Sequence, residues 1–149
     1  MSNNNYTTFT DVNTLGEFGL IDDLTQHIQI YNTNTVKGVG DDAAIIQNDG
    51  EVTVVSTDML IEGIHFDLMY TPLKHLGYKS VVVNVSDIFA MNAVPTQITV
   101  SIAVSNKYSL EALREFYEGI HLACKMYKVD LIGGDTTSSP KGMAISITA

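Results

Sequence analysis

Four aspartates far apart in the chain, Asp42, Asp58, Asp87 and Asp135, each stand beside glycine, hydroxyl or apolar residues rather than among solvated charges. Carboxylates and hydroxyls are hard oxygen ligands of the kind Mg2+ takes. Asp58 is the most clearly framed. The β-branched run Val52–Val55 reads as a strand. Ser56, Thr57 and Asp58 follow at its carboxyl end, and His65 comes seven residues after Asp58. Asp135 repeats the arrangement: a short strand over 129–132 ends in Gly133-Gly134-Asp135-Thr136-Thr137, where the two glycines permit close backbone approach to a ligand. If the four acids converge in space they would hold metal ions, and the metal ions would hold a nucleotide.

Asp87 lies on a different kind of element. Thr71 reads as an N-cap and Pro72 as a first-turn residue of a helix running to Met91. So apolar a helix has to be buried nearly all round. Ser80, Asn84 and Asp87 break that pattern at i, i+4 and i+7, a polar stripe on one face. A buried, unpaired carboxylate is costly, so Asp87 calls for a partner such as a cation; the alternative is a hydrogen-bonded structural aspartate. Asp42 belongs to Gly38-Val39-Gly40-Asp41-Asp42-Ala43, which fits a dinucleotide fingerprint by letters alone. No strand precedes it, and two acids in the turn would repel a bare pyrophosphate, so it reads as a glycine turn presenting Asp41 and Asp42. The competing reading is an exposed turn.

The remaining elements are a polar arm over residues 1–14, a helix from Leu15 to Ile30, a polar loop from Tyr31 to Lys37, and a short strand at 43–46. Asp49-Gly50 signals a hairpin into the Val52 strand. Residues 97–104 alternate cleanly as a strand whose second face is small and uncharged, which would suit a subunit contact. Ser109 caps a helix to Tyr127 with Leu113, Phe116, Tyr117, Ile120 and Cys124 on its apolar stripe, and 142–149 alternate as a last strand. The sequence stops inside that pattern, which suggests a domain taken from a longer protein.

Composition narrows the function classes. At 149 residues, 45% of them hydrophobic, the chain is long enough for one domain with its own core. A net charge of −9 argues against a nucleic-acid partner, though divalent cations can still bridge an acidic protein to phosphates. No run is apolar enough to span a bilayer, so no membrane partner is expected. One cysteine allows neither a disulfide framework nor a thiolate metal site, and the first residues lack the features of a signal peptide; both point to the cytoplasm.

Taken in order, Gly16-Glu17-Phe18-Gly19-Leu20-Ile21, Gly-Val-Gly-Asp-Asp-Ala-Ala, Ser-Thr-Asp-Met-Leu-Ile-Glu-Gly-Ile-His-Phe, Val-Asn-Val-Ser-Asp-Ile-Phe-Ala-Met-Asn-Ala and Leu-Ile-Gly-Gly-Asp-Thr-Thr resemble the N-terminal domain of the thiamine-monophosphate kinases, within the aminoimidazole ribonucleotide synthetase-like superfamily. The resemblance runs from about Leu15 to the end. It implies a mixed α/β fold with a sheet of about four to five strands packed by helices, and a homodimer whose sheets pair into a barrel. It implies ATP and several Mg2+ ions, and transfer of a phosphoryl group to thiamine monophosphate in line. By position it implies metal ligation by Asp42, Ser56, Thr57, Asp58, Asp87 and Asp135, ATP contacts at Tyr117, Gly134 and Asp135, and a substrate contact at His65. Asp41 and Glu62 match the motifs without an implied ligand role. Residues 15–149 would be the ATP- and Mg-binding and dimerisation domain. The C-terminal domain that completes the family's pocket is absent, so this piece alone is expected to turn over little. The alternatives are a related ATP-dependent enzyme with another acceptor, or a non-catalytic nucleotide-binding or dimerisation module.

Overall fold

A computed structural model describes Asp11 and residues 14–149, so the expected N-terminal arm falls almost wholly outside the described residues. The elements are α1 (Gly16–Thr25), β1 (Thr35–Lys37), β2 (Ala44–Asn48), β3 (Glu51–Val55), β4 (Thr57–Ile61), α2 (Leu73–Ala90), β5 (Gln97–Val104), α3 (Leu110–Tyr127), β6 (Asp130–Ser138) and β7 (Met143–Thr148). The chain forms two units, Met1–Thr33 and Asn34–Ala149.

In the first unit α1 ends at Thr25, five residues before the expected end at Ile30. It buries none of its residues, and Phe18, Leu24 and Ile28 are exposed.

The second unit holds the other elements. Its strands form two sheets: three strands in the order β1-β2-β3, and the expected mixed sheet, here of four strands in the order β4-β7-β5-β6. Part of the expected loop at 31–37 becomes β1, paired with β2. Asp49 and Gly50, both at positive φ, close the β2–β3 hairpin as the sequence suggests. Two strands differ from the reading of the sequence. The polar Ser56-Thr57-Asp58 does not lead out of a sheet: the chain passes through Ser56 from β3 into β4, which joins the second sheet beside β7. Likewise 133–138 continue β6 in parallel pairing with β5, with α3 as the crossover.

Both long helices pack on the core that includes Leu60, Ile98, Val100, Ile145 and Ile147 of the four-stranded sheet. Ser109 caps α3 as expected, accepting from Ala112 N–H. At α2 the N-cap is Pro72 with no side-chain bond, so Thr71 does not play that part. Nor is α2 buried all round: Lys74, Lys79, Ser86 and Phe89 are exposed.

The two helices touch at backbone level. A Cβ at Gly77 would overlap the Phe116 carbonyl oxygen, and one at Gly119 would overlap that of Lys74. Only glycine fits at either position, because the obstacle is helix backbone that cannot rotate away. We expect Gly77→Ala to lose about 2–3 kcal/mol in urea unfolding through overpacking; an unchanged midpoint would show that the helices can separate freely.

Candidate functional site

The polar stripe of α2 runs beneath the start of β4. Ser80 and Asn84 are buried and Asp87 is half-buried. Their polar atoms are accounted for in sequence: Ser80 Oγ donates to Gly77 O (2.8 Å), Asn84 Nδ2 donates to Ser80 O (2.9 Å), and Asp58 N–H donates to Asn84 Oδ1 (3.0 Å). Ser56 Oγ donates to Asp87 Oδ2 (2.9 Å), joining the strand exit to the last member of the stripe. Asn84 was visible in the sequence only as part of that stripe; its role is to accept from Asp58 N–H and so fix Asp58 over the helix.

Asp58 shares its sheet face with the buried Ile147 and Leu60. Burial raises its carboxyl above the ordinary value, the charge of Asp87 raises it further, and His65 acts in the opposite sense. Two like charges share a half-buried corner with one imidazole beside them. Such a pair fits a divalent cation, which would relieve their repulsion, with the Ser56 hydroxyl as a third oxygen.

The other candidates are distributed around this corner. Asp42 is exposed and precedes Ala44, which pairs with Val55, so it lies at the hairpin end where the chain enters β4. Its neighbour Asp41 is ion-paired with Lys37. Thr57 lies on the sheet face away from the helices, its hydroxyl donating to Ile147 O (3.0 Å) and accepting from Thr148 (3.1 Å). Asp135 lies on that same outer face, in the row Met59, Ser146, Ser101, Asp135. It is on edge strand β6, three strand spacings or about 14 Å from β4, and faces away from Asp58. Within one chain the four aspartates therefore do not form one cluster. Among the described residues no three His, Cys, Asp or Glu side chains make a ready cage for a metal ion. Gly134 has a structural reason of its own: a Cβ there would overlap the Val100 carbonyl across the parallel pair. Tyr117 is half-buried against Phe116, with ring centroids 5.7 Å apart.

His65 sits in a tight turn after β4. Ile61 N–H, on the free edge of the sheet, donates to His65 Nδ1 (3.0 Å), while His65 N–H donates to Ile61 O (2.9 Å). Lys79 Nζ donates to His65 O (3.0 Å). At the head of the turn, the half-buried Glu62 carboxylate accepts from Lys107 Nζ (2.8 Å), the Tyr108 hydroxyl and Met143 N–H (2.8 Å). Burial alone would raise Glu62, but these donors outweigh it and hold the carboxyl below its ordinary range. Burial and the Glu62 bond push Tyr108 up to about 12.

An open cavity of about 720 Å3 starts one residue away from Ser56 and Asp87, lined by Val55, Ile88, Pro95, Thr99 and Thr148 among others. No charged side chain lines it, and it holds none of the candidate ligands.

The family described as AIR synthase related protein, N-terminal domain, matches residues 40–149, and the chain belongs to it. Its relatives include proteins named thiamine-monophosphate kinase. The enzyme of Bacillus subtilis (strain 168) is 37% identical over 135 residues, covering 90% of this chain and 41% of its own length. That of Buchnera aphidicola subsp. Schizaphis graminum is 42% identical over 132 residues, covering 88% and 40%. Among solved structures, AaThiL complexed with AMPPCP and TMP superposes with a TM-score of 0.82 at 30% identity, covering 95% of this chain and 43% of that one. The chain thus spans about two fifths of the length of the relatives it matches. The mixed α/β architecture expected from the motifs is the one found.

Two outcomes test the electrostatics. In metal-free buffer, Asp58→Asn should raise Tm by about 1–3 °C, because the raised carboxyl costs stability at neutral pH; a fall would mean that the charge is already compensated. Glu62 has the opposite sign. Its lowered carboxyl contributes stability above the ordinary value of 4.5 and loses it as pH falls through the folded-state value. The Tm gap between wild type and Glu62→Gln should be full at pH 7 and close below about pH 4.5; a gap constant down to pH 3 would contradict the assignment.

Proposed function

We propose that this chain is the ATP- and magnesium-binding part of a thiamine-monophosphate kinase, which transfers the γ-phosphoryl group of ATP to the phosphate of thiamine monophosphate, giving thiamine diphosphate and ADP. The observation that carries the reading is the pair Asp58 and Asp87, held together by Ser56 and Asn84 where a strand edge meets a helix, with no Lys or Arg among the charges acting on Asp58. Relatives that bear the name of this activity support the choice of reaction.

In this reading Asp58 and Asp87 ligate magnesium, with Ser56 adding its hydroxyl and Asp42 joining from the hairpin end, while Thr57 adds an oxygen from the outer sheet face. Bound magnesium would neutralise the phosphates of both polyanions and align them for in-line transfer. The acceptor oxygen is ionised near neutral pH, so no strong general base is needed. His65 contacts the acceptor phosphate. Gly134 and Tyr117 contribute to the nucleotide site. Asp135 acts as a ligand from the outer sheet face.

That face carries Thr99, Ser101, Ala103, Ala144 and Ser146, small and uncharged, and all half-buried. We place the homodimer contact there, with the two sheets closing into a barrel. Asp135 then belongs to the interface rather than to the Asp58 corner of its own chain. A single cysteine and the use of ATP suit a cytoplasmic setting.

Calorimetry with Mg2+ and a non-hydrolysable ATP analogue tests the site. We expect binding to wild type and at least about tenfold weaker binding to Asp58→Asn and Asp87→Asn. Unchanged affinity in both would remove the metal site. The chain alone should convert little or no thiamine monophosphate, while the full-length gene product should form the diphosphate; a full-length protein that leaves this acceptor untouched but phosphorylates another points to a different member of the superfamily.

A further inference from the structure

Glu62 takes no part in the proposed chemistry, yet its carboxylate has three donors from two distant parts of the chain. Lys107 and Tyr108 come from the β5–α3 connection and Met143 from the first residue of β7. The backbone adds a fourth link, Glu62 N–H to Met143 O at 2.9 Å. Gly142 makes the space: it lies at φ +66, and a Cβ there would stand 2.7 Å from Glu62 Oε2. A carboxylate so fully bonded cannot rotate without leaving donors unpaired.

What this knot holds is the turn of His65. Glu62 and Phe66 bridge across its base, Gly63 N–H donates to Phe66 O (2.8 Å), and the Phe66 ring is buried in the core. Glu62 and Phe66 thus anchor both ends, and the three residues between them have one path. On that path the imidazole meets Ile61 N–H through Nδ1. A ring nitrogen that accepts from an N–H carries no proton, so the neutral ring holds its proton on Nε2. Since His65 is exposed, Nε2–H is left as a donor for a ligand.

We propose that Glu62 is a positioning residue that, through the His65 turn, fixes the Nε2–H tautomer and offers that donor to an anionic oxygen of the acceptor phosphate. The last step rests on the reading of His65 as an acceptor contact; the tautomer does not. Glu62 touches no reacting atom. Lys79, bonded to the His65 carbonyl, steadies the same turn from α2.

Nitrogen NMR of the imidazole, recorded on this chain, reads the tautomer directly. In wild type the two His65 ring nitrogens should be widely separated, as in a fixed Nε2–H form. Glu62→Ala should draw them toward the averaged values of a mobile ring, while Glu62→Gln, which keeps an acceptor for Met143 N–H, should restore most of the separation. Should Glu62→Ala fail to fold, Tyr108→Phe removes one donor and should give a partial shift of the same sign. A folded Glu62→Ala, or Tyr108→Phe in its place, with an unaltered His65 signature overturns the proposal. Thiamine monophosphate added with Mg2+ and the ATP analogue should shift wild-type Nε2, and Glu62→Ala should weaken that titration by about tenfold while nucleotide binding stays within about twofold. Equal loss of nucleotide and acceptor binding would mark Glu62 as merely structural and also overturn it. If the acceptor leaves Nε2 unmoved in wild type while Glu62→Ala still alters the tautomer, the clamp stands and the acceptor reading of His65 fails.

Discussion

The contact that sets the rest of the molecule in place is the meeting of α2 and α3 at Gly77 and Gly119. Backbone against backbone fixes both the spacing and the sliding of the two helices, because neither surface has a rotamer to adjust. α3 is itself fixed to the four-stranded sheet as the crossover between the parallel strands β5 and β6. Once α3 is placed, so is α2, and with it the height at which Ser80, Asn84 and Asp87 meet β4. Asn84 then finds Asp58 N–H and Asp87 finds Ser56 Oγ within hydrogen-bond distance. Chemistry at one end of α2 therefore depends on two residues without side chains at the other.

An edge strand has N–H groups that no neighbour takes. On β4 one of them, Ile61 N–H, is taken by the His65 side chain, while Asn84, from α2, accepts from Asp58 N–H. The two bonds also orient the residues beside them. Asp58 is drawn over the helix face and toward Asp87, and the His65 ring is turned so that one nitrogen is spent on the backbone and one is left over. Stability and site geometry share the same hydrogen bonds here, which explains why a strand of five residues can carry so much of the candidate site.

The parts legible in the sequence were those with a local signature. The Asp49-Gly50 turn, the Ser109 cap, the alternation of 97–104 and the polar stripe on α2 each follow from neighbours a few residues apart. β4 was not legible, because Ser56-Thr57-Asp58 looks like the polar end of a strand and the bonds that make it a new one come from β7, 90 residues later in the case of Thr57 and Ile147. The extension of β6 through Gly133 and Gly134 was hidden for a related reason: glycines weaken a strand by local measures, yet here Gly134 is required by the closeness of Val100. α1 erred in the other direction: its periodicity is helical to Ile28, yet the helix ends at Thr25. At the site, residue types predicted which groups are involved, while the face each occupies depends on register. A shift of one residue decides whether a side chain points to the helices or away, and that parity separates Asp58 from Thr57 and Asp135.

This separation bears on how an acidic chain can gather phosphates at all. With net charge −9, every additional carboxylate at one point raises the cost of the next. Splitting the candidate ligands between the helix-side corner and the outer sheet face keeps the repulsion at that corner to the single pair Asp58 and Asp87, which is small enough for the bonds of Ser56 Oγ to Asp87 and of Asp58 N–H to Asn84 to hold in place. Of the remaining two acids, Asp42 stands exposed at the hairpin end and Asp135 lies on a surface whose neutral, small side chains suit contact with a second sheet. In this reading the full ligand set comes together only when subunits, metal and nucleotide do. Positive charge then arrives together with the negative groups it must balance, and the free chain never has to fold around an unneutralised cluster.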